Sequence, residues 1–189
     1  MERAGKIEYK VAIIGSTGVG KSSLCLQFTR NKFPENYEPT VEDYYRKKVN
    51  LDGEQVMFEI IDTAGQEGDL AILDSLIKQA NGYLLVYDLT RKDSFNEMKE
   101  FRNRILDAKH CSKVPLVLVG NKLDNKEQRE ISNDIAQQQA DEWNCKLMEV
   151  SAKTKNNLEN AFIECARMIK LEHLQNRQSN STCCVCIIF

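Results

Sequence analysis

Positions 15 to 22 read Gly15-Ser16-Thr17-Gly18-Val19-Gly20-Lys21-Ser22. This is the G-x-x-x-x-G-K-S pattern, and it narrows the possible folds sharply, because such a loop works only between a strand and a helix. Gly15, Gly18 and Gly20 let the backbone turn its N–H groups inward through conformations that side chains disfavour, which makes a cradle for a dense anion. Lys21 supplies an ammonium for outer phosphates and Ser22 a hydroxyl for Mg²⁺. The context fits. Tyr9 to Ile14 is a short apolar run that reads as a buried strand. Ser23 to Arg30 reads as a helix, whose positive end would face the anion.

Strand-like and helix-like segments alternate along the rest of the chain. Strands are expected at 44–51, 55–61, 83–87, 115–120 and 146–150, and helices at 70–79, 94–109, 132–143 and 158–173. Asp52-Gly53 joins two strand-like runs and predicts an antiparallel hairpin. Together with the first strand and helix, this gives six strands and five helices. The expectation is an α/β fold with a mostly parallel sheet and one antiparallel edge hairpin. Residues 1–8 read as a polar leader, 9–172 as one domain and 173–189 as a flexible tail. The apolar stripes Phe95, Met98, Phe101, Ile105 and Leu158, Ala161, Phe162, Cys165, Ile169 are core faces.

Ligands of such sheets sit past the carboxyl ends of strands. Four stretches fall there. Gly15 to Ser22 is one. The second begins at Asp62, whose carboxylate can hold Mg²⁺ directly or through water, with Gly65 three residues on. Alone, that spacing is more often a turn. The third is Asn121-Lys122-Leu123-Asp124. Asp124 can accept from the ring N–H and the amino group of guanine, whereas adenine would leave the carboxylate unpaired, and sites of this kind discriminate by about 10⁴ or more. The fourth is Ser151-Ala152-Lys153, which can offer backbone donors to the base oxygen.

Composition excludes some classes. The net charge of −2 gives no bulk basic surface for nucleic acid. The seven cysteines are an odd set. Cys25, Cys111, Cys145 and Cys165 stand singly and are expected to be reduced and mostly buried, while Cys183, Cys184 and Cys186 crowd the end.

From Tyr9 to His173 the chain resembles a small GTPase of the Ras family, of the Ras/Rap kind. The resemblance rests on Gly15 to Ser22, Tyr37-Glu38-Pro39-Thr40-Val41-Glu42-Asp43, Asp62-Thr63-Ala64-Gly65-Gln66-Glu67, Asn121-Lys122-Leu123-Asp124 and Ser151-Ala152-Lys153, in order and at family-like spacing. It implies the phosphate-loop NTPase fold, guanine nucleotide as ligand and Mg²⁺ as cofactor. Lys21 would contact outer phosphates, with Ser23 in the same site. Ser22 and Thr40 would ligate Mg²⁺, and Thr40 and Gly65 would read the terminal phosphate through backbone N–H groups. Gln66 would position the attacking water. Phe33 would pack at the guanine edge, the Lys122 stem across its face, and Tyr37 over the phosphates. Residues 34–43 and 62–77 would be the two switches. Tyr37 to Asp43 would form the effector surface, which takes β-grasp domains. Exchange factors and activating proteins are implied as partners of a monomeric domain.

Two residues depart from the family pattern. Thr17 stands where most relatives carry glycine, and Asp69 replaces an aromatic usually shown to regulators. Thr17 favours slow hydrolysis, or in the alternative a constitutively GTP-bound effector anchor. A phosphate-loop transferase is the other competing class, but no arginine-rich lid is present to support it. The chain closes on Cys186-Ile187-Ile188-Phe189, a prenylation pattern whose final Phe favours geranylgeranyl. Because one lipid binds reversibly, Cys183 and Cys184 are expected to add palmitoyl groups. The expected place is the cytoplasmic face of a membrane, the plasma membrane above all.

Overall fold

The computed structural model describes residues 7–33, 42–63 and 70–183, with side chains for 7–33, 43–63 and 71–177. Six strands form one sheet: β1 (Ile7–Ile14), β2 (Glu42–Leu51), β3 (Glu54–Thr63), β4 (Gly82–Asp88), β5 (Leu116–Asn121) and β6 (Lys146–Glu149). Their order is β2-β3-β1-β4-β5-β6. Only β2 and β3 run antiparallel; the pairs β1–β3, β1–β4, β4–β5 and β5–β6 are parallel. The expected α/β sheet with one antiparallel edge pair is therefore the fold observed.

The hairpin follows from its two turn residues. Asp52 and Gly53 both take positive φ, 50° and 91°. That conformation matches the twist of the flanking strands, and Leu51 pairs directly with Glu54 across the turn.

The helices are α1 (Lys21–Arg30), α2 (Leu70–Gln79), α3 (Lys92–Asn96), α4 (Met98–Lys109), α5 (Asn133–Glu142) and α6 (Leu158–Cys183). The segments α3 and α4 are one helix turned at Glu97. Backbone bonding continues across the turn, since the Glu97 N–H donates to Asp93 and the Phe101 N–H to Glu97, each at 3.2 Å. Counted so, five helices flank the sheet as expected.

Two boundaries differ from the sequence reading. The first strand begins at Ile7, inside the expected polar leader. The last helix does not stop near His173 but runs to Cys183. Its apolar stripe ends at Ile169, which is why periodicity loses it there. Yet no Gly or Pro follows Leu158 to break the backbone.

The sheet separates two apolar layers. On one face α1 and α6 cover the strands, where Phe28 stacks on Phe162 with ring centroids 3.9 Å apart and both meet Phe58 edge-on. Such aromatic contacts stabilise by about 0.5–1.5 kcal/mol each beyond burial. On the other face α2 to α5 pack over Tyr83, Tyr87, Leu85 and Leu118. Gly82 is required here by close approach: a Cβ would stand 2.8 Å from Cys165 Sγ and from Ile169. Cys25 and Cys165 are buried, Cys145 is half-buried and Cys111 is exposed, so burial holds for only part of the expected set.

Successive connections leave β1 toward β2 and β4 toward β5, in opposite directions along the sheet. The carboxyl ends of β1 and β4 therefore flank a switch point, where such sheets bind ligands. A Cβ on Gly15 would lie 2.1 Å from the Val86 carbonyl oxygen, so only glycine lets the β1 loop leave so close to β4.

Candidate functional site

Polar burial concentrates at the carboxyl edge of the sheet. Ser16, Lys21, Asp62, Thr63, Asp88, Ser94, Asn121 and Ser151 are all buried there. Desolvation makes each of these costly unless it is satisfied, so their partners define what the edge is built to do.

The loop 15–20 leads directly into α1. Gly18 and Gly20 take φ of 77° and 96°, in the left-handed region that glycine enters without strain. A Cβ on Gly20 would also lie 2.4 Å from Asn121 Nδ2. Lys21 turns back into the loop, its Nζ donating to the carbonyls of Gly15 at 2.7 Å and Ser16 at 2.9 Å. The ammonium is thus held in the mouth of the loop above the N-terminus of α1, an arrangement that favours an anion.

Asn121 joins this loop to two others. Its Nδ2 donates to the Val19 carbonyl at 2.9 Å, and its Oδ1 accepts from the Ala152 N–H at 3.2 Å. The sequence reading placed Asn121 among ligand contacts; in the structure both ends of its amide bind protein. Lys122 follows with φ of 69°, and its Nζ pairs with Asp88 Oδ2 at 2.6 Å. Burial pushes the Asp88 carboxyl up, but hydrogen bonds from Lys122 and Thr90 outweigh it and leave the carboxyl below its ordinary range. Asp124 is exposed, and one of its oxygens accepts from Ser151 Oγ at 2.6 Å. The Thr154 N–H donates to that same hydroxyl at 3.0 Å, which fixes its orientation. Ser151 thereby positions a carboxylate whose second oxygen is available to a ligand. Lys153 is exposed and Ser23 half-buried. Phe33 is 42% exposed.

Asp62, next to last in β3, is fully buried, and neither carboxylate oxygen has a hydrogen bond in good geometry among the described residues. Burial pushes its pKa up to about 6, against the Ser22 hydroxyl and the Lys21 ammonium, which favour the anion; the Asp43 carboxylate adds to the rise. A buried, unsatisfied carboxylate beside a serine hydroxyl is a donor set of hard oxygens, and it suits a small divalent cation that keeps part of its water shell.

Tyr37, Glu38, Pro39, Thr40, Val41, Gly65, Gln66, Cys184 and Cys186 lie outside the described residues, as do the side chains of Glu42 and Cys183. Asp43 is described, exposed at the start of the edge strand β2.

The geometry decides where the site lies better than concavity does. A groove of about 790 Å³ runs between α2 and α3–α4 and is lined by surface charges of both signs such as Asp74, Lys78, Glu100 and Arg104. The loops instead converge on the switch point.

The sequence model of the Ras family matches residues 10–171. The chain belongs to the Ras family. Domains of this family bind guanine nucleotide with Mg²⁺, hydrolyse GTP, and act with exchange factors, activating proteins and effectors. The Ras-family fold accounts for the edge described above: the loops after β1, β5 and β6 meet at one place, beside Asp62 near the end of β3.

Sequence reasoning missed Asp88 at the end of β4 and Arg91, Ser94 and Glu97 on the loop and helix start that follow. Thr90 donates to Asp88 through N–H and hydroxyl at 2.9 and 2.7 Å, and Ser94 Oγ accepts from the Asp88 N–H at 3.0 Å. No glycine or motif marks this stretch, and its place beside β1 at the switch point comes from the sheet order.

The Asp62 carboxyl sets a pH dependence. Its folded pKa lies above the unfolded value, so its effect on stability is nil below about pH 4 and unfavourable once the pH rises through about 6. We expect metal-free, nucleotide-free Asp62→Asn to be more stable than the native chain at about pH 8, with the advantage gone by about pH 4. Urea unfolding across that range checks this. Added Mg²⁺ should then stabilise the native chain and not the variant.

Proposed function

We propose that this Ras-family chain is a membrane-anchored guanine-nucleotide switch that hydrolyses GTP slowly and engages effectors in its GTP state. The observation that carries the guanine reading is the Asn121 side chain, bonded at once to Val19 and Ala152. It makes the phosphate loop and the Asp124–Ser151 pair one site, with an anion cradle at one end and a base-reading carboxylate at the other.

In this reading Lys21 binds outer phosphates, the Asp124 carboxylate reads the guanine N–H groups and the Lys122 stem packs on the ring, where the Asp88 pair holds it. Ser22, Thr40 and Asp62 would hold Mg²⁺, which would shield phosphate charge. Thr40 and Gly65 read the terminal phosphate, and Gln66 orients the attacking water. Tyr37 to Asp43 form the effector face, and an exchange factor and activating protein set the nucleotide state. A phosphate-loop transferase finds no support in the residues that surround the site.

Slow hydrolysis is supported by Thr17. Its β-branched side chain is stiff about χ1 and exposed at the mouth of the loop. Its carbonyl is tied to Arg91 at 2.7 Å, so the loop cannot easily carry the side chain aside. A lipid on Cys186, with further acylation at Cys183 and Cys184, would supply the anchor.

Three measurements follow. GDP and GTP should displace a fluorescent guanine nucleotide from the native chain while ADP and ATP do not, and Asp124→Asn should weaken GDP by about 10²-fold or more, because its amide sets a donor against the base donors; equal affinity for ATP and GTP overturns the reading. Single-turnover hydrolysis should be faster in Thr17→Gly than in the native chain, with and without an activating protein; an unchanged rate makes Thr17 a tolerated variant. Cys186→Ser should move the protein from the membrane to the soluble fraction of cells, and an unchanged distribution removes the anchor from the proposal.

A further inference from the structure

The loop after β4 carries Arg91, which no motif marks. Its backbone is tethered on both sides: its N–H donates to the Asp88 carbonyl at 3.0 Å, and its own carbonyl accepts from Ser94 Oγ at 2.7 Å and from the Ser94 N–H at 3.2 Å. From this fixed base the side chain crosses the switch point to the phosphate loop. Nη2 donates to the Thr17 carbonyl at 2.7 Å, and Nη1 stands 3.7 Å from where a Cβ on Gly18 would be. The guanidinium therefore lies along the peptide that joins Thr17 to Gly18. The next contact is made by the same helix start, where Ser16 Oγ donates to Glu97 Oε2.

We propose that Arg91 is a positioning residue of the phosphate loop, which holds the Thr17 carbonyl outward so that the Gly18 N–H stays turned to the anion side and bound nucleotide is released slowly. The proposal rests on the guanine-nucleotide reading above.

The argument begins with the peptide itself. The described peptides are trans and planar, so a carbonyl and the N–H that follows it point in opposite directions. A carbonyl drawn toward Arg91 sends the Gly18 N–H the other way. Rotation of this one peptide would reverse both groups and aim an oxygen at the phosphates. Most residues resist such a rotation through φ, but Gly18 resists it least, because glycine populates both signs of φ. The glycine that makes the cradle possible also makes it easy to invert, and an external hold is needed.

The neighbouring carbonyls fit the same scheme. Those of Gly15 and Ser16 are bound by Lys21, and that of Val19 by Asn121. Arg91 completes the set at Thr17, and it is the one donor of the three that comes from β4's own loop. Its charge makes the bond stronger than a neutral one and polarises the peptide, which strengthens the N–H as a donor.

The test uses the full chain loaded with a fluorescent GDP and chased with excess GDP in Mg²⁺. Arg91→Ala should release nucleotide about tenfold faster or more, the range expected for losing a charge-assisted hydrogen bond. Arg91→Lys should restore most of the native rate, and Arg91→Gln, which keeps a donor without the charge, should fall between. Guanosine affinity, followed by NMR, should be unchanged in all three, because the loop contacts phosphate and not the base. Native release from Arg91→Ala overturns the proposal, as does equal weakening of GDP and guanosine, which would mean a general loss of structure. If the native chain retains GDP no better than ADP, the guanine reading fails and the proposal falls with it.

Discussion

An anion cradle made of backbone can work only if its carbonyl oxygens face elsewhere, and the rest of the nucleotide edge depends on that constraint. Every peptide that offers an N–H to a phosphate carries an oxygen that must be held away from it. Here Lys21 takes the oxygens of Gly15 and Ser16, Arg91 that of Thr17 and Asn121 that of Val19. These donors come from α1, from the loop after β4 and from the end of β5. The loop is therefore shaped from outside by the sheet beneath it, and its glycines supply freedom while its neighbours remove it.

The same logic explains why buried polar groups crowd one edge of an otherwise apolar sandwich. Both faces of the sheet are covered by aliphatic and aromatic side chains that need no partners. At the carboxyl edge, Asp88 is matched by Lys122 and Thr90, and Asp124 by Ser151. Asp62 is the exception: among the described residues neither of its buried oxygens has a hydrogen bond in good geometry. Paired groups build the scaffold and the unpaired one is left to a cation, which is a division of labour set by desolvation.

Contacts between the site and the helices also run through this edge. Ser16 meets Glu97 at the turn between α3 and α4. Further along α4, Arg104 Nε donates to Asp74 Oδ1 on α2 at 2.7 Å. The phosphate loop thus touches the turn into a helix that is pinned in turn to α2.

The sequence by itself determined the phosphate loop, the order of strands and helices, the hairpin at Asp52-Gly53 and the apolar stripes, because each is a local pattern: a backbone φ that only certain residues take, or a period that matches a helix or strand. It also placed Asp62, Asn121, Asp124 and Ser151 on one edge through the rule that ligands sit past parallel strands. It did not show that Asn121 spends its amide on protein, that Ser151 orients Asp124, or that Asp62 is buried without a hydrogen bond in good geometry among the described residues. Nor did it find Arg91 and Glu97, or the run of α6 beyond its apolar stripe. Only the tertiary structure decided those, because a hydrogen bond between residues 74 apart in the chain, as for Arg91 and Thr17, depends on which strands become neighbours. That adjacency comes from packing the whole sheet, and no stretch of sequence records it.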